Sequence, residues 1–169
     1  MGLIDTLRQQ EPETWHNLHT AAQARFHDGL ALATSGEDRR LAAIYLFGYA
    51  VELLLKSAFF RILGFDRVTP VDLQRIKSHQ DWIGRTNLHN LVALRTVLIE
   101  QKKLTGHPYD PVFAAQLAEA VGKVSQHWAE TLRYKHGTRA GRTTVTEQNL
   151  SEVDEGVRWL LTNQDLLWS

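Results

Sequence analysis

Apolar positions are densest over residues 41–62, LAAIYLFGYAVELLLKSAFFRI. Their spacing predicts one long helix, running from about Glu37 to Leu63 and stopped by Gly64. Ile44, Gly48, Val51, Leu55, Phe59 and Ile62 share one face at helical periodicity. Tyr49, Leu53 and Phe60 lie on roughly the opposite face, with Phe47, Leu54 and Ala58 between. A helix at a protein surface carries one apolar stripe, so a helix apolar all round has to be enclosed. Other helices of the chain or a second copy must cover Tyr49, Leu53 and Phe60, and the expectation is a homodimer.

The flanking pattern is also helical. Pro12 opens a helix from Glu13 to about Thr34, with Trp15, Leu18, Ala22, Phe26, Gly29 and Ala33 as its stripe and Ser35-Gly36 as its end. Pro70 opens a short helix through about Lys77, after which Trp82 and Ile83 cover a core edge. Asn87 caps a helix through about Leu104, with Leu88, Leu91, Val92, Leu98 and Ile99 inward and Arg95 on the same stripe. The sequence GHPYDP is a turn on both glycine and proline grounds. A long helix then runs from Pro111 to about Lys135 with Phe113, Leu117, Ala120, Val121, Val124, Trp128 and Leu132 on one side. After a loop over 137–145, a last helix spans about Glu147 to Leu167, with Leu150, Val153, Val157, Leu160, Leu161 and Trp168 inward. No stretch alternates with period two long enough to read as a strand. The expected fold is all-α, an antiparallel up-and-down bundle of four to five long helices in a single domain over residues 1–169, its core at about 12–165.

Composition narrows the function classes. The 169 residues suit one domain, and 43% hydrophobic content excludes a disordered chain. Nineteen Lys and Arg balance nineteen Asp and Glu, which argues against non-specific coating of nucleic acid while leaving room for a local basic patch. The absence of cysteine excludes disulfides, zinc thiolates and cysteine nucleophiles. The start, MGLIDTLRQQEPE, lacks an apolar signal core. Residues 41–62 are long enough to span a bilayer, but Glu52 and Lys56 near their centre, with Arg39, Arg40 and Arg61 at their ends, favour a soluble buried helix, and the lack of cysteine fits the expected cytoplasmic location.

Three groups of residues could carry chemistry. Glu52, Lys56 and Arg95 are charges on apolar faces, and a buried charge needs a partner. They form either an internal ion pair, Glu52 with Lys56 or with Arg95, or the polar wall of a pocket between helices. Arg133, Tyr134, Lys135, His136, Arg139 and Arg142 cluster around Gly137 and Gly141, where Arg forks and backbone N–H groups suit phosphate and Tyr134 suits a base. The other reading of that cluster is a solvated loop. His16 and His19 lie one turn apart, while His27 is about 16 Å from His16 along a helix, too far to share an ion. HNLH lacks the metalloprotease glutamate, and these read as flanking histidines, with no metal and no cofactor expected. His89 falls in the first turn of its helix, closing it or lying beside Trp82.

Three segments resemble the HEPN superfamily of small helical-bundle proteins. GYAVELLLK at 48–56 is similar to its second-helix signature. HNLVAL at 89–94 is similar to the histidine, polar, leucine pattern that opens a later helix. Trp128 with Arg133-Tyr134 resembles the Trp…Arg-Tyr ending of the main bundle. The resemblance implies an antiparallel bundle, often homodimeric, often encoded beside a nucleotidyltransferase, and often a toxin-like ribonuclease or a binder of RNA or nucleotides. Active members place four to six residues between an Arg and a following His. Here Arg75–His79 and Arg85–His89 enclose three and Arg133–His136 two. The expectation is therefore a non-catalytic binding protein, associating with nucleotide or RNA or with a nucleotidyltransferase-like or antitoxin partner of a toxin–antitoxin or defence system. A ribonuclease using an atypical set such as Arg133 with His136 and a purely structural interaction domain are the alternatives.

Overall fold

The structure, a computed structural model, describes residues 13–82, 89–134 and 145–169; the side chains of residues 77, 79–82, 133 and 134 fall outside that description. The described residues form six α-helices and no strand; one isolated bridge joins Thr14 to Pro70. Helix α1 (Trp15–Ala33) starts where the Thr14 hydroxyl accepts the Asn17 N–H at 3.1 Å. It buries Trp15, Leu18, Ala22, Phe26 and Gly29 of the predicted stripe, while Ala33, its last member, is half-buried. A 3-10 turn, Glu37–Arg39, leads into α2 (Arg40–Ile62), which ends as expected at Gly64, φ 79°.

Helix α2 is the centre of the fold. It meets α1 along most of its length and also touches α4 (Leu91–Leu104), α5 (Pro111–His127) and α6 (Glu147–Thr162). Every residue from Ala50 to Phe60 is buried. Leu53 and Phe60 are covered by the chain itself, so the need for a second copy to cover them lapses. Tyr49 stays half-buried and stacks on Tyr45, ring centroids 6.3 Å apart. By length and composition Glu37–Ile62 could cross a membrane, yet most of it lies inside this chain. Close approach to α1 uses Gly29, where a Cβ would come within 2.7 Å of the Phe47 ring. The buried Ser57 hydroxyl donates to the Trp15 carbonyl at 2.8 Å.

Several boundaries differ from expectation. Pro70 is held by the bridge to Thr14, with the Val71 N–H donating to Glu13 at 2.8 Å, so α3 (Leu73–Trp82) opens later, on Asp72. It buries Ile76; the expected cover by Trp82 and Ile83 lies outside the described residues. Helix α4 is capped by Asn90 and not Asn87, the Asn90 side chain accepting the Ala93 N–H at 2.9 Å. Its buried apolar residues are Leu91, Ala93, Leu94, Val97 and Leu98, with Val92 and Ile99 half-buried; Leu88, also expected inward, lies outside the described residues. Asp110 caps α5, which ends at His127 rather than near Lys135. Thr146 and Asn149 form a reciprocal capping box on α6. That helix stops at Thr162, where the Asn163 backbone N–H and side-chain amide both donate to the Trp159 carbonyl, at 3.0 Å and 2.8 Å, and a 3-10 turn, Gln164–Leu167, follows. One apolar core runs through all these elements from Trp15 to Leu167.

Candidate functional site

The polar group inside the core is built from α2 outward. Glu52 and Lys56 stand one helical turn apart, both nearly inaccessible, and the Lys56 ammonium donates to Glu52 Oε1 at 2.5 Å. Burying the two together limits a desolvation cost that either alone would pay in full. Glu52 has a second partner that the sequence did not indicate. His89 Nδ1 lies 3.1 Å from Oε1 and 3.0 Å from Oε2 of the same carboxylate. His89 therefore precedes the Asn90 cap and ties the start of α4 to the middle of α2, instead of sitting in the first turn of α4. Its outer nitrogen, Nε2, is 3.5 Å from Glu130 Oε2, and both side chains are about one-third exposed, 36% and 29%. Of the two partners expected for Glu52, Lys56 is the one it takes and Arg95 is not: Lys56 and His89 occupy that carboxylate, and the buried Arg95 Nε lacks a hydrogen-bond partner.

A second junction lies one turn earlier on α2. At Gly48 the Trp128 indole sits directly on the helix backbone, and a Cβ there would overlap the ring. The indole N–H donates to the Tyr45 carbonyl at 3.0 Å. Reaching this seat takes Trp128 out of helical geometry, φ −115° and ψ 134°, which is why α5 stops before it. The chain then enters a 3-10 turn, Glu130–Tyr134, that packs on α2. Arg133 and Tyr134 belong to this turn; Lys135, His136, Arg139 and Arg142 lie outside the described residues.

The histidines of α1 have other partners. Arg67 donates to the His16 ring at 2.9 Å, and His19 meets Gln164 at 2.6 Å and the edge of Trp168. Among the described residues no three His, Cys, Asp or Glu side chains are placed to hold a metal ion. A shallow groove of about 610 Å³ runs between α5 and α6 over Ala118 and Gly122. Its charges satisfy one another. Bonds to Glu155 and Glu119 hold the Lys123 ammonium above its ordinary pKa, while bonds from Gln148 and His127 hold the Glu152 carboxyl below its own.

Chemically, a buried carboxylate gripping one imidazole nitrogen fixes ring and tautomer, as it does for acid–base histidines. Here the opposite nitrogen faces a carboxylate rather than an open substrate position, so the geometry is that of a strut between α2 and the turn after Trp128. No family model matches the chain, and neither does any curated protein or solved structure.

Proposed function

We propose that this chain is a HEPN-like binding module, an antiparallel up-and-down bundle of four to five long helices without catalytic activity, that takes nucleotide or RNA on Arg133, Tyr134, Lys135, His136, Arg139 and Arg142. It works in the cytoplasm as a homodimer beside an antitoxin-like or nucleotidyltransferase-like partner. One observation carries this reading. The three segments behind the HEPN resemblance, distant in sequence, meet on α2: Gly48 receives Trp128, and Glu52 receives His89. Residues that match a family pattern by chance have no reason to touch one another. The same meeting point anchors the turn from which the basic stretch departs. Arg forks with glycines suit phosphate oxygens, and a tyrosine suits a base.

The test is binding of a short single-stranded RNA, read by fluorescence anisotropy at several salt concentrations. Wild type is expected to bind with affinity falling steeply with salt. The Arg139→Ala/Arg142→Ala double variant should bind at least about tenfold more weakly, its salt slope smaller by roughly 1.4, since each lost contact on a single strand removes about 0.7. Equal affinity and equal slope in the two proteins would overturn the assignment of that stretch.

A further inference from the structure

Arg95 stands on the apolar side of α4, one turn from Leu91 and one turn from Ile99, and is itself half-buried. Among the described residues its guanidinium meets no carboxylate, no carbonyl and no aromatic ring. Nε is buried without a hydrogen-bond partner, while Nη1 and Nη2 reach the surface. The other buried or half-buried lysines and arginines among the described residues are all paired. Arg25 meets Asp28, Arg40 meets Glu37 and Glu147, Lys56 meets Glu52, and Lys123 meets Glu119 and Glu155. Arg61 lies over two indole rings, and Lys102 donates to the Ser169 backbone oxygen.

A guanidinium drawn partly out of water without a counter-charge is unfavourable, and a buried N–H left unmade costs more than a made bond gains. The one buried carboxylate among the described residues, Glu52, is held by Lys56 and His89. We propose that Arg95 anchors an oxyanion site on α4, taking the phosphate or carboxylate group of a small ligand on the edge formed by Nε and one Nη. Nothing holds the head, so it can swing outward about its stem without breaking a hydrogen bond. The swing brings Nε–H and an Nη–H to the surface as parallel donors, the spacing that two oxygens of one phosphate or carboxylate fit. Binding also ends the exposure of Nε to an interior that offers it no acceptor. Val92 and Ile99, half-buried on either side, lower the local dielectric, which strengthens a charge-assisted bond. The inference goes beyond the binding role proposed above and does not rest on it.

The experiment follows the Arg95 Nε–Hε resonance of the full chain by two-dimensional nitrogen–proton NMR, assigned by its loss in Arg95→Lys. Inorganic phosphate and acetate are added separately at constant ionic strength, with chloride as the reference. A saturable shift in the millimolar range is expected, the scale of two charge-assisted hydrogen bonds. Saturation by phosphate alone assigns a phosphoryl ligand, and saturation by acetate as well or instead assigns a carboxylate one; either supports the inference. Backbone amides of Val92 and Ile99 report the same event in the variants. Arg95→Lys, which keeps the charge and loses the fork, should bind at least about tenfold more weakly, and Arg95→Met should show no saturation. If Arg95 only packs its stem, neither anion shifts the resonance beyond the chloride reference, and that result overturns the inference. Saturation of the same amides in Arg95→Met at wild-type concentrations overturns it too. The wild-type titrations decide the matter without requiring that Arg95→Met fold.

Discussion

Gly48 and Trp128 make the sharpest single-residue demand in the molecule. The indole occupies the volume that any side chain at position 48 would need, and its N–H closes on the Tyr45 carbonyl. Gly48→Ala would raise helix propensity on its own, but the overlap is expected to dominate and cost about 1–3 kcal/mol. Trp128→Ala should cost about 3–5 kcal/mol as a large-to-small core change. The pair should be strongly non-additive, because once the indole is gone the methyl at position 48 meets empty space. Urea denaturation of the two single variants and the double one measures this, and additive costs would show that the contact is not as drawn. The Glu52–Lys56 pair was legible in the sequence, since a four-residue spacing on one helix places the two heads together. His89 was not legible as their partner, because a contact between the middle of one helix and the residue before another leaves no periodic mark. Arg95 misled for a related reason. An arginine on an apolar stripe looks the same whether or not its head reaches a carboxylate.

At the scale of elements, the apolar period located the long helices, and tertiary contacts decided where several of them end. Trp128 and Leu132 continue the α5 stripe in register, so the pattern reads straight through to Lys135. The seat on Gly48 instead pulls Trp128 into extended geometry. The end of α1 was readable because Ser35-Gly36 carries its own signal, Gly36 taking φ 133°. Asn90 and Asn87 are equivalent as capping chemistry, and the sequence offered no means to choose between them. The α5–α6 pair has a constraint of its own. Gly156 faces α5 so closely that a Cβ would lie 2.6 Å from the Ala120 carbonyl and 3.0 Å from Val124. Backbone cannot yield there as a side-chain tip could. Gly156→Ala is therefore expected to push the helices apart and cost about 1–3 kcal/mol, although alanine is the better helix former. Thermal unfolding followed by circular dichroism reads the loss, and a variant as stable as wild type would count against this packing.

For the molecule as a whole, the demand that α2 be enclosed is met within one chain, and the last turn of that chain helps to close the enclosure. Leu167 is fully buried, and the Arg61 guanidinium lies over the Trp168 ring at 3.9 Å and over the Trp15 ring at 4.5 Å. The loop before α5 is fastened to the same place by Tyr109, whose hydroxyl donates to the Leu167 carbonyl at 2.5 Å. Burial pushes the Tyr109 phenol above its ordinary pKa. Unfolded, the phenol would lose its proton near about pH 10; folded, it keeps it. The folded state then binds more protons than the unfolded one, so stability falls as pH rises. Its contribution is complete below about pH 10 and is lost progressively from there toward the higher folded value. Tyr49 is shifted the same way, by burial first and Glu52 second, and adds to the same alkaline decline. Tyr109→Phe should lose roughly 1 kcal/mol at neutral pH with its hydrogen bond, yet decline less steeply than wild type between about pH 9 and about pH 11, leaving the Tyr49 share. Urea midpoints across that range decide the matter, since m stays fixed if the fold does. Parallel declines in the two proteins would mean that the phenol ionises as freely in the folded chain as outside it, and that the last turn is not closed over the core in the way these contacts require.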